Sequence, residues 1–274
     1  MTIATYFRPT SVPEALGLLE EHGPELLVIA GGTIAMPLIN EGISLPREVM
    51  GLRHAGLDTY ERGASEVRIG ATLSLTRLAE QNDVPLLRAA ARRTASWSIR
   101  NMATVGGTLF APPPAGDVAT ALLALDARVT LSGRHGEREL PLTDFWTGFM
   151  TTAMAADELL IAITIPLRDE SSAFIKFGRK EANTPAIVSV AVVGDRIALG
   201  AVDAHPIRAR NAEAALAGKP RDEAAITAAA EAAADECEPF ADALASEWYR
   251  RRMVRIFVER ALREQAAGTN GMEA

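Results

Sequence analysis

Two short glycine-paired segments, Ala30-Gly31-Gly32-Thr33 and Thr104-Val105-Gly106-Gly107-Thr108, constrain this chain more than any other feature. A glycine pair carries no Cβ, so the main chain can approach a phosphate closely, and successive N–H groups in such a turn form an anion-binding concavity. The flanking threonines add hydroxyl donors. Two such segments suggest two backbone loops closing on one diphosphate. Either pair alone reads equally well as an ordinary turn with positive φ, in a chain that holds 21 glycines. Their surroundings decide the matter.

The first pair follows Leu26-Leu27-Val28-Ile29, a buried-strand pattern, so the loop lies at a strand's carboxyl end, where ligands enter α/β layers. Before the strand, Ser11-Val12-Pro13-Glu14 has the form of a capping box with proline in the first turn. Val12, Ala15, Leu16 and Leu19 then recur at helical spacing until Gly23-Pro24 stops the helix. Helix, stop, strand and glycine loop therefore occupy residues 11 to 33 in order. Further along, the patterns predict helices at about 74–95 and 117–126 and strands at about 127–133 and 158–166, with Pro166 closing that stretch. Phe174–Arg179, Ile187–Val193 and Arg196–Val202 read as three short strands, the last two joined by Gly194-Asp195. An Ala-rich helix at about 220–237 and an Arg-rich one at about 246–266 follow. The tail from Gly268 has the composition of a disordered end. Three stretches result: 1–55, 56–167 and 168–274.

Composition closes off other functions. A chain of 274 residues with 48% hydrophobic residues can build a substantial core. No apolar run reaches the roughly 18–20 residues that a membrane span needs. The segment Met1 to Tyr6 lacks the form of an export signal, so the expected location is cytoplasmic. A formal charge of −7 gives no footprint for nucleic acid. The four histidines have no ligand spacing, which predicts no metal site. No nucleophile elbow, Walker loop or Gly-x-Gly-x-x-Gly fingerprint occurs. The single cysteine, Cys237, lies in an Ala-rich helix and reads as a small buried residue.

Ile29-Ala30-Gly31-Gly32-Thr33 with Pro37 and Leu38, and then Ile99-Arg100-Asn101-Met102-Ala103-Thr104-Val105-Gly106-Gly107-Thr108, resemble the FAD-binding medium subunit of the molybdenum hydroxylases. That family includes the carbon monoxide, xanthine and nicotine dehydrogenases. The resemblance continues through Asp117 to Asp126, Asp157-Glu158-Leu159-Leu160 to Pro166, Phe174 to Lys180, and Trp248 to Leu262, nearly the whole chain. It implies an α+β fold: a two-lobed FAD-binding domain of the PCMH (vanillyl-alcohol oxidase-like) type with a C-terminal α+β cap of about three strands and two helices. It also implies that Ile29 to Ile34 and Asn101 with Thr104 to Thr108 hold the FAD pyrophosphate. Asp117 would bind the ribityl region, Leu160 would pack near the isoalloxazine, and Lys176 would lie near the flavin or its acceptor.

The residues themselves offer plainer readings beside these. Asp117 can be a helix N-cap, Leu160 an ordinary buried strand residue and Lys176 a solvated strand lysine. The chain departs from the family at Thr33-Ile34-Ala35, where a polar or acidic residue is usual, and at Thr108, where asparagine is usual. Phe110-Ala111-Pro112-Pro113-Pro114-Ala115-Gly116 predicts a stiff, extended approach to Asp117.

By resemblance, the function is electron transfer within a heterotrimer. Substrate would be oxidised at a molybdenum cofactor on a large subunit, and electrons would pass through two [2Fe-2S] clusters on a small subunit to FAD here. From FAD they would reach an external acceptor, with NAD, quinone, cytochrome and dioxygen all open. A dimer of heterotrimers is implied. A cluster needs about four thiolates, and one cysteine cannot supply them, so that chemistry belongs to partners. The alternatives are a self-contained FAD-dependent oxidase or reductase, and a nucleotide-binding chain without redox chemistry. The Arg-rich last helix, with Arg250, Arg251, Arg252, Arg255, Arg260 and Arg263, reads as amphipathic with a solvated basic face, or as a docking surface for an acidic partner.

Overall fold

The structure, a computed structural model, describes residues 3–180 and 183–268. The first lobe holds β1 (Thr5–Phe7), α1 (Val12–His22), β2 (Leu26–Ile29), α2 (Ala35–Asn40) and β3 (Glu48–Gly51). Its three strands are parallel, with β3 in the middle between β1 and β2. Ser11 caps α1 by accepting the Glu14 N–H at 3.3 Å, and the Glu14 carboxylate turns back to the Thr10 N–H at 2.7 Å, one residue earlier than a standard capping box. Gly23 ends the helix at φ 64°. Ala15 and Leu19 then pack on Leu26 and Met50, which ties α1 to the sheet and fixes where β2 delivers the first glycine pair.

The second lobe comprises β4 (Tyr60–Arg62), β5 (Glu66–Gly70), α3 (Leu75–Ala79), α4 (Pro85–Arg93), α5 (Trp97–Met102), α6 (Asp117–Ala124), β6 (Arg128–Gly133), β7 (Gly136–Pro141), β8 (Trp146–Gly148), β9 (Thr151–Thr152) and β10 (Leu159–Pro166). Its main sheet is antiparallel in the order β4-β5-β10-β6-β7. The single helix expected over 74–95 is two. Ser74 caps α3, the chain breaks, and Pro85, which has no N–H to give to a continuing helix, opens α4. α5 is an element the sequence reading did not separate. Every residue of α6 is buried, because it lies between the second lobe and the third unit. The proline tract is not extended: the Ala115 N–H returns to the Pro112 carbonyl at 3.0 Å and closes a tight turn before Gly116.

The third unit holds β11 (Ser172–Phe177), β12 (Val188–Val193), β13 (Arg196–Gly200), β14 (Ile207–Arg208), α7 (Arg210–Leu216), α8 (Glu223–Glu236) and α9 (Glu247–Ala266). The sheet is antiparallel in chain order, and Gly194 at φ 54° makes the expected turn between β12 and β13. Among the described residues this unit has four strands where three were expected, and α7 is additional. The arginines of α9 are not one solvated face. Arg250 is wholly buried: its guanidinium donates to the Ile187 and Ala201 carbonyls at 2.7 and 2.8 Å and pairs with Asp242 at 2.7 Å. Burying it is tolerable because those acceptors replace its water. The tail from Thr269 lies outside the described residues.

Candidate cofactor site

Where β2 ends, the chain turns through Gly31 and Gly32 into α2, and this turn forms one wall of a cavity of about 600 Å³ between the first and second lobes. The opposite wall is Ala71 and Thr72, which follow β5, together with Ala103 to Thr108, which follow α5; Val105 alone of that run does not line it. Met154 to Ala156 and Glu158 to Leu160 enclose an apolar end, and Phe110 and Met150 stand exposed at the rim. The structure thus brings Ile29, Ala30, Gly31, Gly32, Thr33 and Ile34 to face Thr104, Gly106, Gly107, Thr108 and Leu160.

The two glycine segments are not equivalent. Among the described residues, no backbone N–H from Gly31 to Ala35 donates to the chain itself. These groups are free for an acceptor in the cavity, and successive free N–H groups favour an anion. In the second segment only the Thr104 N–H is left unspent among the described residues; the Val105 N–H goes to Leu73 O at 2.9 Å, Gly106 to Ala71 O at 2.9 Å, Gly107 to Thr104 Oγ1 at 3.1 Å and Thr108 to Thr104 O at 3.1 Å. The Thr108 hydroxyl is also spent, on Val105 O at 2.6 Å. Gly31 is demanded by packing. A Cβ there would run into the Met102 carbonyl oxygen, so this contact locks the two segments together.

Four expected site residues lie elsewhere. Val105 is fully buried in the second lobe's core, and Asn101 accepts from the Thr76 hydroxyl at 2.6 Å, which fastens α5 to α3. Asp117 and Lys176 form a buried ion pair, Nζ to Oδ2 at 2.6 Å, that joins α6 to β11, and Lys176 also donates to Arg93 O at 3.0 Å. Lys176 is therefore not a solvated strand lysine. Asp117 does not act as the N-cap either: Gly116 holds that position, and the carboxylate turns to the lysine. Burial pushes the Asp117 carboxyl up, and the Lys176 ammonium opposes it. Leu160 is both a buried β10 residue and part of the cavity wall, so its two readings coincide.

Sequence reasoning missed the wall made by Ala71 and Thr72, whose only signal was a threonine after a strand. It also missed Glu158 as a turn-maker. That carboxylate takes Arg138 at 2.6 Å and the Ala155 N–H at 2.7 Å, and these bonds hold it below the usual glutamate range. Cys237 is buried, and burial pushes its thiol up to about 11, so it has no thiolate to react.

The residues fit an FAD. A diphosphate answers the unspent N–H groups of Gly31 to Ala35, the hydroxyl of Thr72 on the cavity wall is buried without a partner among the described residues, and the Leu159–Leu160 end offers an apolar face to a ring.

Residues 2–168 match the family model of the FAD-binding domain in molybdopterin dehydrogenase, and residues 172–265 match the CO dehydrogenase flavoprotein C-terminal domain. The glyceraldehyde dehydrogenase medium chain of Sulfolobus acidocaldarius is 30% identical over 96% of this chain and 98% of its own. Subunit alpha of the 6-hydroxypseudooxynicotine dehydrogenase complex of Paenarthrobacter nicotinovorans is 31% identical over 94% of this chain and 92% of its own. Among solved structures, a chain of the carbon monoxide dehydrogenase of Hydrogenophaga pseudoflava superposes with a TM-score of 0.92 at 31% identity, covering 97% of this chain and 98% of that one. The glycine loops, the cavity they frame and the unit behind them are those of a known family, and the chain belongs to the FAD-binding subunits of the molybdopterin dehydrogenases, with a CO dehydrogenase flavoprotein C-terminal domain.

Proposed function

We propose that this chain is the FAD-binding electron-transfer subunit of a molybdenum-containing hydroxylase or dehydrogenase, and that the cavity between its first two lobes holds the cofactor. The observation that carries the reading is the run of unspent N–H groups from Gly31 to Ala35, set across a 600 Å³ cavity from the threonine-rich wall. Ile29 to Ile34 hold the diphosphate from one side, and Thr104, Gly106, Gly107 and Thr108 shape the other. Leu160 keeps water from the ring. Asn101, Val105, Asp117 and Lys176 serve the site from behind, by fixing the elements that carry it. Bound FAD supplies the exchange between one-electron and two-electron chemistry.

Partners follow from the thiol count. A cluster takes about four thiolates, whereas this chain has one cysteine, buried. The [2Fe-2S] clusters belong to a small subunit and the molybdenum cofactor to a large one, in a dimer of heterotrimers in the cytoplasm that serves an external acceptor. Among the described residues no helix is long and apolar enough to cross a membrane. No observation favours the self-contained oxidase. Purification from the native host should give flavin bands together with molybdenum, iron and two further chains. Flavin alone, with substrate turnover by the isolated chain, would overturn the proposal.

A further inference from the structure

The second wall of the cavity poses a question of supply. It faces the free N–H groups of the first loop, yet apart from Thr104 its own backbone donors are turned inward, and the Thr108 hydroxyl is bonded to Val105 O. An anion lying between the walls needs donors on this side too. Two hydroxyl protons remain among the lining threonines of that wall. Thr104 Oγ1 accepts from the Gly107 N–H, which leaves its own proton free to donate. Among the described residues Thr72 Oγ1 has no hydrogen-bond partner, and the residue is only 8% exposed.

An orphaned buried hydroxyl costs stability in the free chain, and such groups in folded proteins call for an explanation. Here the backbone around Thr72 explains its placement. Its N–H is anchored to Leu57 O at 2.9 Å, and the neighbouring Ala71 carbonyl takes the Gly106 N–H at 2.9 Å, so Thr72 is held in the same wall as the second glycine pair.

We propose that Thr72 donates its hydroxyl proton to the FAD diphosphate, forming with Thr104 the hydroxyl half of a cradle whose backbone half is Gly31 to Ala35. The inference rests on the FAD reading. It assigns the second glycine pair a different task from the first: close packing, Gly106 on Ala71 and Gly107 on Thr104, with side-chain hydroxyls rather than the glycine N–H groups meeting the anion. Thr72 binds and orients the cofactor and takes no part in electron transfer.

The test uses the full chain stripped of flavin. FAD is titrated in by fluorescence quenching, ADP is titrated as a competitor because it shares the diphosphate, and the thermal midpoint is read without ligand. Thr72→Val keeps the shape and removes the hydroxyl; Thr72→Ser keeps the hydroxyl. Thr72→Val should weaken FAD and ADP about tenfold each, the scale of a hydrogen bond to a charged group, with the ligand-free midpoint unchanged or raised. Thr72→Ser should bind within about twofold of wild type. Unchanged FAD affinity in Thr72→Val overturns the proposal. So does weakened FAD with unaffected ADP, and so does a lowered ligand-free midpoint in Thr72→Val, which would reveal a structural partner. A wild-type chain that takes up no FAD refutes the parent reading instead.

Discussion

At Gly31 a methyl group would strike the carbonyl oxygen of Met102, which is backbone and cannot swing away, while at Gly32 it would meet only the Met36 side chain at 3.3 Å. The two glycines therefore fail differently when replaced. Gly32 sits at φ 69°, where an L-residue costs about 1–2 kcal/mol. Gly31→Ala must instead push the first loop off the second. We expect Gly31→Ala to lose its flavin and Gly32→Ala to keep most of it, measured as flavin per chain after gel filtration; equal retention would contradict the locking contact. The glycine pairs were legible as sequence because nothing else explains two such loops in these settings. Why Gly31 must be glycine was not, since the obstructing atom belongs to a residue far along the chain.

The turn before β10 joins the site to acid. The Glu158 carboxylate is held by Arg138 and by the Ala155 N–H, so its folded pKa lies below that of the unfolded chain, about 4.3. Stability from a depressed carboxylate is present above the unfolded value and lost as pH falls through the folded one. Flavin should therefore leave as the turn loosens in acid, and Arg138→Gln, which brings the carboxyl back toward its ordinary range, should release it at a higher pH. Coincident release curves in an acid titration would refute this. Elements with strong local signals were readable: α1 from its cap and glycine stop, β2 from four consecutive apolar residues, β12 and β13 from their hairpin turn. The break between α3 and α4, the two-residue β14 and the short α7 were not, because their signals are weak and packing decides them. α5 shows the same dependence. Arg100 donates to Thr94 O and Ala95 O at 3.0 and 2.9 Å, which staples a turn in which Ala95 takes a φ of 49°.

Across the whole molecule, the second lobe and the third unit share one core: Phe174, Ala191, Val193 and Ala198 pack with Val118, Leu122 and Ile163. The Asp117–Lys176 pair crosses the same boundary. Lys176→Met should cost about 3–5 kcal/mol, because it strands a buried carboxylate, and adding Asp117→Asn should recover much of that loss. Thermal midpoints of the two variants check it; a single variant as stable as wild type would mean that the pair is not buried in solution. By itself the sequence determined which segments are strands and helices wherever periodicity, caps and glycines agree, and its motifs named the family and most of one cavity wall. Only the tertiary structure decided which N–H groups remain free, that Thr72 has no partner, that Arg250 is buried and that Lys176 faces Asp117. Local patterns record what neighbours in the chain require of one another, whereas the availability of a donor depends on acceptors that folding brings from distant segments.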